Sequence, residues 1–185
     1  MLNKIYAETE DKMKKALEAI QREFAGIRTG KATPALLEGI KVEYYGNMTP
    51  LNQVANISVP DHKLLVIQPW DKTIIGEVVK AIQKANLGLT PISDANIVRL
   101  PIPPLTEERR KDLVKLVKKL AEDGKVAIRN IRREINDSIK KSEKDKTISE
   151  DESRKGQEKT QETTDKYIAK IEELLKKKEQ EVMEV

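Results

Sequence analysis

The 185-residue chain contains no cysteine. Disulfides, thiol nucleophiles and thiolate metal sites are therefore excluded. No apolar run approaches the roughly 18 residues that a membrane span needs. The opening stretch MLNKIYAETEDKMKK carries acids and no long apolar segment. That fits neither a secretory leader nor a transit peptide, so a soluble cytoplasmic protein is expected. Histidine is scarce too: His62, in the turn PDHK, stands alone with no nucleophile or metal partner signalled beside it. Neither a Gly-x-x-x-x-Gly-Lys-Ser/Thr loop nor a His-Glu-x-x-His helix occurs. The expectation is a binding protein with no catalytic, cofactor or metal site, and His62 is read as a surface-turn residue.

The most informative scarcity is positional. All eight prolines fall between residues 34 and 104. Proline locks φ and removes an N–H, so the flanks are free to be long helices and the middle is not. The chain is expected to divide into a discontinuous helical domain, residues 1–29 plus 106–185, and an insert, residues 30–105.

Charge is what the chain has in abundance. Charged residues make up 36% of it, yet 35 basic against 31 acidic side chains leave a net charge of only +4. Such mixed charge belongs on solvated helix faces, not in one broad cationic cloud. A pI near 9.0 permits an anionic partner without requiring one. The insert holds seven basic and six acidic side chains, the flanks 28 and 25.

Three helices are predicted in the flanks. Tyr6, Met13, Leu17, Ile20, Phe24 and Ile27 form one apolar stripe at helical spacing. A second helix opens at PPLTEERR, with Thr106 as N-cap and Glu107 and Glu108 complementing the positive helix end. Its stripe runs Leu113, Leu116, Val117, Leu120, Ile128, Ile131, Ile135 and Ile139, and Gly124 marks a bend or a close approach of another helix. The third starts at SEDE, a capping box of Ser149 and Glu152, and carries Ile168, Ile171, Leu174, Leu175 and Val182. Its first half, SRKGQEKTQETT, is poor in apolar residues. Three stripes that cannot bury themselves singly imply an elongated antiparallel three-helix bundle.

The insert has another rhythm. IKVEYYG alternates and ends at a Gly46-Asn47 turn, NISV and LLVIQ flank Pro60-Asp61, and IVRLPI closes the set. TIIGEVVKAIQKANLG reads as a helix with Ile75, Val78, Val79 and Ile82 inward and Gly88 as its stop. A small β/α/β domain follows, making the fold class α+β. In PWDK, Trp70 is expected to pack in or against the core, and Asp71 to cap the next helix at Thr73 or Ile74. RTGKATP and PIPPLT join the domains, the first freed by Gly30 and the second stiffened by proline. Paired connections of this sort form a two-strand hinge.

The stretch VAIRNIRRE, residues 126–134, carries the site expectation. With Ile128 set at 0° and about 100° per residue, Ile131, Ile135 and Ile139 fall within about 60° of it. Lys125, Arg129, Arg132, Arg133, Asn136 and Lys140 spread over one flank, at about 40° to 140°, whereas Glu134 and Asp137 lie on the other. The basic groups thus read as segregated from acids. Arginine's planar fork suits bidentate phosphate contact. On pattern alone two readings stand, a solvated face with intrahelical ion pairs or a surface holding nucleic-acid backbone. A helical scaffold recruiting protein partners through its amphipathic faces is an alternative from another class.

RTGKATPALLEGIKVEYYG, TPLNQVANISV, PWDK, NLGLTPISD, PPLTEERRKDLVK and VAIRNIRRE together resemble the ribosome recycling factor family, in order and over essentially the whole chain. The resemblance implies a translation factor that works with elongation factor G to split post-termination ribosomes into subunits, GTP being hydrolysed by the partner. It implies an L-shaped, tRNA-sized monomer whose bundle binds large-subunit ribosomal RNA and whose hinged smaller domain meets elongation factor G. The family's RNA-contacting arginines match Arg28, Arg129 and Arg132, with Arg133 in the same block and Arg110 near the hinge end. Hinge positions are Thr29, Gly30 and Lys31 on one strand and Pro104, Leu105 and Thr106 on the other. Two departures stand out: Lys63 and Leu64 where Arg and Thr are common, and Thr160 and Thr163 where apolar residues are common. The second predicts looser packing over residues 150–163.

Overall fold

The computed structural model describes residues 1–184; Val185, the last residue of the expected bundle, lies outside them. The chain divides into two compact units, Met1–Thr29 with Glu107–Val185, and Gly30–Thr106.

The first unit is built from helices α1 (Leu2–Ala25), α3 (Glu107–Lys144) and α4 (Glu150–Met183). Ile20 of α1 lies against Gly124 of α3, while Lys12 pairs with Glu134 at 3.4 Å. One number rises as the other falls, so α1 and α3 run antiparallel. The same holds for α3 and α4, where Lys118 meets Glu179 and Lys125 meets Glu172. The bundle is up-down-up, as its short α3–α4 connection requires.

Burial along α1 follows Ile5, Thr9, Met13, Leu17, Ile20 and Phe24. Ile5, not Tyr6, begins the stripe, because steps of four along one face lead from Met13 back through Thr9. The Thr9 hydroxyl donates to the Ile5 carbonyl at 2.7 Å and is thereby satisfied in the core. Along α3, Leu116 is 42% exposed and Ala121 is buried instead. Gly124 brings the helices together: a Cβ there would collide with the Ile20 side chain, reaching its Cγ1 at 2.8 Å. Of the two meanings offered for this glycine, close approach is the one realised.

Helix α4 starts on the expected capping box, Ser149 accepting from the Glu152 amide and Glu152 from the Ser149 amide. Its polar first half is not loosely packed. Ser153, Gly156, Thr160 and Thr164 are all buried. Thr160 and Thr164 donate their hydroxyls to the carbonyls four residues back, at 2.8 and 2.7 Å. Small and self-satisfied side chains let α4 lie close to Ile139 and Leu2, whose methyls stand 3.2 Å from where a Gly156 Cβ would be. Further along, Tyr167 donates to Glu10 at 2.8 Å and Lys166 pairs with the same carboxylate at 3.0 Å, tying α4 to α1.

The second unit pairs β1 (Lys41–Tyr44) with β2 (Asn47–Pro50) in a hairpin. Its turn lies at Tyr45-Gly46, one residue earlier than expected, with φ positive at both (47° and 81°). A four-stranded antiparallel sheet follows in the order β3-β4-β6-β5: Ala55–Asp61, Leu64–Pro69, Val98–Pro101 and Ile92–Ser93. Helix α2 (Ile75–Lys84) packs Val78 and Ile82 into the aliphatic core with Leu65, Ile67, Val98 and Leu100. It stops before the expected Gly88, because Asn86 already adopts φ 51°. His62 lies in the β3–β4 turn. Asp71 accepts from the Thr73 amide at 2.9 Å, the expected cap. Trp70, however, is 69% exposed and does not join the core. The β4 strand ends at Pro69, and the core beneath is already filled by aliphatic side chains.

Candidate nucleic-acid interface

The arginine-bearing segment of α3 is held from below. Ile128, Ile135 and Ile139 are buried and Ile131 is partly so. These anchors fix the helix's rotation, so the flank beside them faces outward at a set angle. Arg129 and Arg132 emerge there half-buried, and Arg133 is exposed. Among the described residues Arg133 forms no ion pair or hydrogen bond.

The other two arginines are held in place. Arg132 Nη1 donates to the Gln161 amide oxygen on α4 at 3.2 Å, and Gln161 in turn donates to Asp165 at 2.8 Å. A neutral acceptor positions this guanidinium and leaves most of its donors available. Arg129 Nη1 contacts Glu122 Oε1 at 3.3 Å, and Lys125 contacts Glu172 at 3.2 Å. The expected segregation from acids is therefore incomplete. Glu122 lies six residues before Ile128, which returns it to about 120°, on the arginine flank. Glu172 arrives from a different helix, which no single-helix projection displays. Both groups of the Arg129–Glu122 pair are well solvated, 39% and 59% exposed, so the contact is weak and easily exchanged. On the opposite flank Glu134 is met by Lys12 of α1, which keeps that acid turned from the arginines.

Arg28 is exposed just past the end of α1, and Arg110 is half-buried in the first turn of α3. Arg110 precedes Arg129 by 19 positions, about 28 Å along a helix axis. The arginines are not brought to one point. They are spread along the bundle, too far apart to line one small-ligand pocket. Thr29 is buried and donates to Glu181 of α4 at 3.0 Å. Gly30 has φ 77°, and a Cβ on it would stand 2.9 Å from Leu105 Cγ, so both freedom and space require glycine there. Sequence reasoning missed Glu122 and Gln161, the arginines' partners. The first was readable by extending the projection two turns; the second has no signal in α3.

Among the described residues no group of three or more His, Cys, Asp or Glu could hold a metal ion. No helix among them is long and apolar enough to cross a membrane. The class defined by these features is a two-unit, largely helical protein with half-buried and exposed arginines spread along its bundle.

Comparison with known proteins is specific. The sequence model of the ribosome recycling factor family matches residues 20–183. Ribosome-recycling factors of Bacillus licheniformis and Bacillus subtilis are 56% and 55% identical to the chain over 185 residues, covering all of both proteins in each pair. A solution structure of a ribosome recycling factor superimposes with a TM-score of 0.79 at 46% identity, covering all of this chain and 98% of that one. A second structure, of the T. thermophilus factor placed with E. coli elongation factor G on the E. coli post-termination complex, gives 0.65 at 49% identity and full coverage of both. The chain belongs to the ribosome recycling factor family, whose work is in protein biosynthesis.

Proposed function

We propose that this protein, with elongation factor G and GTP, dissociates post-termination ribosomes into subunits by binding large-subunit ribosomal RNA through its bundle. Arg132 is the observation that carries the reading. It is pinned by a neutral glutamine and flanked by Arg129 and by the unpaired Arg133, which presents guanidinium groups to phosphate with little to displace. Arg28 and Arg110 extend the contact toward the insert end. The related structure placed on a post-termination complex with elongation factor G supports the same partners. Thr29, Gly30 and Lys31, with Pro104, Leu105 and Thr106, form the hinge through which the partner displaces the insert while the bundle stays on RNA. The protein acts as a cytoplasmic monomer and needs no cofactor or catalytic centre of its own. Strain on intersubunit contacts then separates the subunits.

The testing experiment is splitting of purified post-termination ribosomes by elongation factor G and GTP, with and without this protein. Splitting that depends on the protein and is abolished by Arg132→Glu is expected. Splitting indifferent to both would overturn the proposal. A scaffold that binds only protein would tolerate Arg132→Glu.

A further inference from the structure

The insert carries exposed aromatic surface that its fold does not explain. Tyr45 is 80% exposed and Trp70, the chain's sole tryptophan, is 69% exposed. Tyr45 also adopts φ 47°, a conformation that bulky side chains avoid and that glycine or asparagine would take at lower cost. The hairpin turn requires positive φ here but not a large ring, and the ring gains almost no burial in return.

Two contacts fix that ring. It packs edge-on against Tyr44, with centroids 4.6 Å apart. Its hydroxyl donates to Asp71 Oδ2 at 3.2 Å. Asp71 Oδ1 is occupied by the Thr73 hydroxyl and amide at 2.6 and 2.9 Å. Those bonds, with the one from Tyr45, hold the carboxyl below the usual carboxylate range, so it stays ionised. Among the described residues no cation pairs with Asp71, its neighbour Lys72 included. Oδ2 keeps lone-pair capacity beyond the tyrosine bond.

From this geometry we infer that Tyr45 and Asp71, with the exposed Trp70 immediately before Asp71 in the chain, form a docking corner for an arginine-bearing loop of a protein partner. The charge selects the occupant. A fixed, unpaired carboxylate repels nucleic-acid backbone, whereas a guanidinium can stack on an aromatic face and donate to Oδ2 at once. The site lies in the unit that lacks the arginine set, so it provides a protein contact where the bundle provides an RNA one. In supplying the complex used for its test, the inference rests on the function proposed above.

The experiment replaces Tyr45 by a photo-cross-linking benzoylphenylalanine in the full-length protein, on purified post-termination ribosomes with elongation factor G. Adducts are mapped by mass spectrometry. A protein adduct within a loop containing an arginine is expected. Asp71→Asn should then lower the yield at least fivefold, since asparagine preserves the helix-capping acceptor while removing the charge. Asp71→Arg combined with that partner arginine changed to glutamate should restore it. An RNA adduct, a second copy of this chain, a protein loop without a cation, or no adduct overturns the inference, as does an unchanged yield with Asp71→Asn. Co-sedimentation of the same sample with ribosomes separates the two readings: no adduct with sedimentation intact defeats the docking corner alone.

Discussion

The two units solve the packing problem by partly different means. The insert fills its interior with branched aliphatic side chains, Val42, Leu65, Ile67, Val78, Ile82, Val98 and Leu100 all being buried. The bundle also buries large side chains, Met13, Ile128, Ile139 and Ile171 among them, but adds a second means. Around Gly124 and from Gly156 to Thr164 it closes by bringing backbones together over glycine and over threonines, Thr160 and Thr164, whose hydroxyls donate back onto their own helix. One core is made of volume and the other partly of proximity. Cavities should therefore injure both units, whereas added volume should injure the bundle far more.

The largest effects test whether the units are separate. Ile128→Ala and Leu65→Ala each remove a fully buried side chain, at an expected cost of about 2–5 kcal/mol. Trp70 fluorescence reports on the insert, and far-UV circular dichroism is dominated by the long helices. In urea, Leu65→Ala should move the fluorescence transition and Ile128→Ala the dichroism transition. Equal shifts of both signals in both variants would mean one cooperative unit.

Added volume gives the next contrast. Gly124→Val should destabilise the bundle by about 1–3 kcal/mol, because Ile20 must be displaced. At Gly76, in α2, a Cβ would meet nothing within 4 Å, and φ is not positive. Gly76→Ala should stabilise the insert by about 0.5–1 kcal/mol through helix propensity. Thermal melts of the two variants moving in the same direction would break the comparison.

Alkaline pH addresses the bundle alone. Burial first, and then the bond to Glu10, push the Tyr167 hydroxyl up to about 12 from an ordinary value of 10.0. Its folded-state value is raised, so the unfolded chain ionises first. The contribution is fully present below pH 10 and is lost as pH climbs through 12. Stability of the bundle should therefore fall across that window, and Tyr167→Phe should flatten the loss. The smallest expected effect is that of Glu122→Gln, which frees Arg129 from an exposed pair and should shift stability by less than about 0.5 kcal/mol. Ribosome affinity should rise with it.

The sequence made the aliphatic parts legible because large apolar residues at helical or alternating spacing declare a face. The α3 isoleucines, the Ser149–Glu152 box and the Asp71 cap follow from residue type and spacing alone. What stayed hidden was packing by small or polar groups. Thr160 reads as a weak spot only while its hydroxyl lacks an acceptor, and the Gly156 carbonyl provides one. Trp70 misleads for the converse reason, since its size implies burial and the core has no vacancy for it. The arginine flank was legible as a face, but the acids that reach it from two turns away and from α4 were not.

The central claim is that the bundle arginines bind ribosomal phosphate. The most direct measurement is the salt dependence of binding to post-termination ribosomes, for the wild type and for Arg132→Gln. Neutralising a phosphate-bound arginine should weaken binding and lower the slope of log affinity against log salt by about 1. An unchanged affinity and slope would show that Arg132 touches no phosphate and would contradict the account.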